Sequence, residues 1–258
     1  IGADLGDFAL EIAQTDTGAT ADSPAALANA VSAELGFGLL GAGHANALEL
    51  RLSTARRGAG FYSALNPDLV ADEKRNRAEL LFQSEEWNWV LSAERAVSNI
   101  GHDPGLPTDA MGSYGLDVIY SPYVFTGGFL QGVTFYGSLL QEDQRRLTTP
   151  AGGPDPEDFR LRSLSFGMDR FQPDHAWSIG AKLDWLDDLS GAGTSEQRQR
   201  IEAAYAFTPD ELTTLTLRAE HGRSRTLGDW QSDNRLEMSY AFPIGAGHWS
   251  ALVEAGTT

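Results

Sequence analysis

The 258-residue chain carries 36 acidic against 19 basic residues, a formal charge of −17, with 41% hydrophobic residues, 21% charged residues and no cysteine. Its apolar content excludes a disordered chain, and its acidity gives no overall basic surface of the kind that nucleic acid phosphates require. With no cysteine there is neither a disulfide nor a thiolate metal site, and no run of about 18 apolar residues is present to form a transmembrane helix.

Alternation of apolar and polar residues, punctuated by turn residues, divides the chain into thirteen expected strands. The first lies near 4–15. The second, 26–40, is also compatible with a capped helix, since Ser23-Pro24 precedes Leu27, Val31 and Leu35, and such a helix would be a plug. A strand is preferred because Gly36 to Leu40 continues into a turn and Leu48, Leu50 and Leu52 then alternate cleanly in 45–56. Strands are expected next at 75–84, 86–98, 112–124 and 127–141. The clearest pair follows at 159–171 and 175–187: Leu164, Phe166 and Met168 alternate with serine, glycine and aspartate, Gln172 to His175 turn the chain, and Trp177, Ile179, Ala181, Leu183 and Trp185 alternate with Ser178, Gly180, Lys182 and Asp184. The last four are 197–208, 211–224, 232–243 and 247–257.

The connections have a rhythm. Short breaks at Gly41 to His44, Ser84-Glu85, Thr126-Gly127, Gln172 to Asp174, Pro209-Asp210 and Pro243 to Ala246 alternate with longer polar ones between them. Tight turns at one end and extended loops at the other are what an up-and-down barrel produces, whereas a Greek-key sandwich mixes them. In this pattern the whole chain, 1–258, resembles the outer-membrane β-barrel class as a single domain. The resemblance implies an all-β, up-and-down antiparallel transmembrane β-barrel with 12–14 strands visible, in the outer membrane of a Gram-negative bacterium. Thirteen strands and a C-terminal Thr258 in place of an aromatic lead us to expect part of a larger barrel, and Ile1 in place of Met a mature or trimmed product.

The expected lipid face collects Leu48, Leu50, Leu52, Leu80, Phe82, Leu91, Leu116, Val118, Phe129, Val133, Phe135, Phe207, Leu215, Leu217, Leu236, Met238, Phe242 and Val253. Its aromatic girdle would comprise Trp87, Trp89, Tyr114, Tyr120, Trp177, Trp185, Tyr205, Tyr240 and Trp249. The opposite face would line a lumen with Glu49, Arg51, Glu79, Glu94, Asp117, Asp169, Lys182, Asp184, Glu202, Arg218, Glu220, Arg235, Glu237 and Glu254. Excess carboxylate there would favour cations or neutral polar solutes, unless side chains and loops fill the interior.

His221-Gly222-Arg223-Ser224, with Asn234 on the next strand, resembles the outer-membrane phospholipase pattern. That resemblance makes His221 the base, Ser224 the nucleophile and Asn234 the orienting residue. A three-residue spacing, however, puts His221 and Ser224 on opposite faces of a regular strand. The five histidines show no paired ligand spacing, the acidic loops Asp155 to Asp158 and Asp184 to Asp188 lack the regular spacing of a calcium loop, and no cofactor motif stands out. The expected function is therefore a pore or export channel for a polar substrate, in contact with outer-membrane lipid. A barrel that anchors a larger assembly with other outer-membrane or periplasmic subunits, an outer-membrane hydrolase and a soluble acidic β-sandwich are the alternatives.

Overall fold

The structure is a computed structural model, which describes residues 4–17, 26–40, 46–59, 72–122, 131–152, 158–191, 193–210, 213–226, 229–244 and 247–257. Thirteen strands follow one another: β1 (Asp4–Thr17), β2 (Ala26–Leu40), β3 (Ala47–Arg57), β4 (Glu73–Gln83), β5 (Trp87–Ser98), β6 (Thr108–Tyr120), β7 (Val133–Thr148), β8 (Phe159–Phe171), β9 (His175–Asp188), β10 (Glu196–Asp210), β11 (Thr213–Thr226), β12 (Asp229–Ile244) and β13 (Gly247–Thr257). They form one antiparallel sheet in sequence order, each strand hydrogen-bonded to the next. The all-β, up-and-down class expected from the alternation is the one observed, and 26–40 is strand rather than helix. A soluble sandwich would need two packed sheets, and the described residues form one. β1 and β13 run in the same direction, and no pairing joins them among the described residues.

Two boundaries differ from expectation. β6 covers 108–120 and β7 133–148, so the break between them spans 121–132, and Phe129 lies outside the described residues. The reason sits at Pro122, which has no N–H to extend the ladder; Ser121, just before it, instead donates its N–H to the Glu86 carbonyl at 2.8 Å. Between β11 and β12 the ladder continues to Thr226↔Asp229, which leaves residues 227–228 as the connection in place of the long loop expected from Arg225 to Gln231. Alternation of long and short breaks therefore fails at these two places and holds elsewhere.

The sheet has almost no interior. Ala96 and Val133 are the buried apolar residues among those described, and the accessible surface is 17098 Å². A compact globular protein of 27.8 kDa exposes about 11,000 Å². Phe166, Leu91, Leu139, Ile201 and Leu236 stand about half exposed or more. Water does not tolerate so wide an apolar face on a folded monomer, so something other than water must cover it.

Candidate functional site

The pairing register assigns every strand residue to one of two faces, because directly opposed residues point the same way and the side-chain period is two. One face is apolar. A single row of opposed residues runs Leu50, Leu80, Leu91, Leu116, Leu139, Leu164, Leu183 from β3 to β9. Below it, toward the turns at 84–86 and 172–174, aromatics pair across strands: Phe82 on Trp89 with ring centroids 5.5 Å apart, Trp87 on Tyr120 at 4.2 Å, Tyr120 on Phe135 at 6.2 Å. Tyr240 stacks on Phe242 at 4.9 Å on β12, opposite the backbone positions of Trp249 and Ala251. Every residue expected on the lipid face that lies within a described strand shares this face by register, the girdle residues included.

The other face is charged, and the residues expected to line a lumen share it. Each of its cations meets a carboxylate. Arg51 meets Glu49 at 2.7 Å, Arg57 and Arg75 meet Glu73 at 3.0 and 3.1 Å, and Arg77 meets Glu79 at 2.5 Å. Arg146 meets Asp109 at 2.9 Å, Lys182 meets Asp184 at 3.1 Å and Arg198 meets Glu196 at 2.6 Å. Arg200 meets Glu220 at 3.0 Å, Arg218 meets Glu202 at 3.6 Å and Arg235 meets Glu237 at 3.7 Å. Carboxylates are left over, Asp117 and Asp169 among them. A cavity of about 890 Å³ opens on this face between β9 and β12, lined by Lys182, Asp184, Arg198, Arg200, Glu220 and Asp233. Tyr136 lies flat across the same face, over Gly167 and toward Gly180, where an added Cβ would collide with its ring or come within 3.3 Å of its hydroxyl.

A third feature was not legible as a site in the sequence. At the loop end of the apolar face the register places Arg56 opposite Lys74, with Arg95 on β5 and Arg145 on β7. Arg160 and Arg162 follow on β8, paired with Asp143 at 2.5 Å and Asp187 at 2.6 Å. On β11 Arg223 and Arg225 flank Trp230 of β12, their guanidinium carbons 4.5 and 6.0 Å from its ring centroid. Trp230 was expected in a loop; the longer β11–β12 ladder makes it an aromatic of this face. Face and height were both computable from alternation, but only once the β11–β12 boundary was known.

The structure brings together two of the three candidate catalytic residues. His221 and Asn234 are directly opposed, and His221 Nδ1 donates to Asn234 Oδ1 at 2.6 Å, since the amide oxygen can only accept. Ser224 is on the charged face, with no register shift recorded in the β11–β12 pairing to bring it round. The same-face position two residues from His221 holds Arg223, which has no nucleophilic oxygen. Among the described residues no group of His, Asp and Glu is placed to hold a metal ion.

No family model and no curated protein matches the chain. Among solved structures it is similar to the outer-membrane expressed OmpT of Vibrio cholerae, with 8% sequence identity and a TM-score of 0.40 over 99% of this chain and 88% of that one, a likeness too distant to bear on function.

Proposed function

We propose that the chain forms the wall of an outer-membrane β-barrel, with the leucine row and aromatics in lipid and the charged face toward an aqueous lumen that passes a polar substrate. The observation that carries this reading is a folded sheet of thirteen strands with next to no buried apolar residue among those described, whose apolar side chains stand exposed on one face. Hydrocarbon is the medium in which such a face is stable, and strands that pair all their backbone groups are one of two structures that can sit in it. The matched cations and surplus carboxylates of the opposite face support a lumen that favours cations or neutral polar solutes.

Gel mobility of the detergent-extracted protein with and without boiling tests the barrel. A heat-dependent shift is expected, and a protein that stays soluble without detergent and shows no shift would sink the reading. Discrete conductance steps in a planar bilayer, larger in cation than in anion flux, test the pore. A second reading, a barrel that anchors a larger assembly, is favoured by the edges of β1 and β13, which no pairing joins among the described residues, because unpaired strand edges are templates for further strands. A detergent-dependent protein that shifts on boiling but conducts nothing would favour it.

A further inference from the structure

We infer that the basic rim at the loop end of the apolar face binds the phosphate headgroups of anionic lipid; the inference rests on the membrane reading above and names the lipid chemistry of that face. In a chain of formal charge −17, the carboxylates at this end of the apolar face are Asp143 and Asp187 among residues with described side chains, and both are occupied by Arg160 and Arg162. Arg56, Lys74, Arg95 and Arg223 meet no carboxylate among the described residues, although the charged face pairs all of its cations. Arg56 and Lys74 stand directly opposite one another, an arrangement that is destabilising between like charges unless a counter-anion lies between them.

Arg56, Lys74, Arg95, Arg162 and Arg225 stand one to three same-face positions beyond the leucine row toward the loops, and Arg223 continues that row from Leu183 through Gln199. Trp230, 38% exposed between Arg223 and Arg225, is the side chain suited to a membrane interface. Between β5 and β9 an apolar groove of about 590 Å³, walled by Leu91, Tyr114, Leu139, Leu164 and Trp185, runs up to Arg162. A lipid bound there would lay acyl chains along the groove and leucine row and present its phosphate to the rim. Guanidinium is the group suited to that partner, since its fork matches two phosphate oxygens at once.

The test uses the whole chain in neutral-detergent mixed micelles holding either phosphatidylglycerol or phosphatidylcholine, with lipid phosphorus measured per protein after gel filtration. The wild type is expected to retain at least about fivefold more of the anionic lipid, and R223Q/R225Q and R56Q/K74Q/R95Q each to lose most of that preference, the triple variant more than the double. R223K/R225K, which keeps the charge, should retain most of the binding. Equal retention of the two lipids by the wild type overturns the inference even if the glutamine variants fail to fold. Displacement of the lipid by millimolar inorganic phosphate also overturns it, because the rim would then hold a free anion. A detergent-dependent, heat-shifting protein without lipid preference refutes the rim alone, whereas a protein soluble without detergent refutes the membrane reading beneath it.

Discussion

The two faces of the sheet treat the same residue type in opposite ways. On the charged face ten arginines and lysines all meet carboxylates within 3.7 Å, whereas at the loop end of the apolar face Arg160 and Arg162 do and Arg56, Lys74, Arg95 and Arg223 meet none among the described residues. Cations next to water and to one another's counter-ions can be balanced within the chain. At the loop end of the apolar face few carboxylates stand among the described residues, and the lipid phosphate inferred above would supply the balance. The comparison thus separates charges balanced within the sheet from those that we infer to meet lipid.

The largest effect that can break this division comes from a charge placed in the belt. Leu183→Arg, in the leucine row, is expected to cost about 2 to 4 kcal/mol and to abolish the heat-shifting band, while Lys182→Ala, one residue away on the other face, leaves it intact. Equal folding of the two variants in a detergent refolding assay would reverse the face assignment. Next in size is Gly167→Val, which drives a side chain into Tyr136 and should destabilise by about 1 to 3 kcal/mol. The double variant with Tyr136→Ala should recover part of that loss, and a double-variant cycle of chemical unfolding would measure how much.

Smaller effects sharpen the comparison. Arg200→Gln, which removes an exposed partner of Glu220, is expected to change stability by no more than about 1 kcal/mol. Its readout is the reversal potential in a salt gradient, which should move further toward cations as a lumen carboxylate is freed. Asp117→Asn and Asp169→Asn should move it the other way. If neither change moves it, the charged face does not line the conducting path.

The fold was legible because a half-buried strand has only one period. Trp177 to Trp185 and Leu48 to Leu52 can satisfy an apolar face in just one way, and the register puts them where alternation did. Pro122 was visible in the sequence, but its effect depended on whether the ladder of β6 would need its N–H. At Arg225 to Gln231 polarity read as loop, yet two exposed faces at a barrel rim tolerate polar residues on both sides of a strand, so composition could not mark the end.

The candidate chemistry divides in the same way. Three-residue spacing already put His221 and Ser224 on opposite faces, and it could also have shown that Arg223 shares the histidine's face. What the sequence determined alone was the two-sided character of each strand, since pleating fixes which residues share a side. Only the tertiary structure decided which strand neighbours which, and in what register. That is why the leucine row, the Tyr136 ring across Gly167, the His221–Asn234 hydrogen bond and the basic rim, all built from residues on different strands, became visible only when the sheet was assembled.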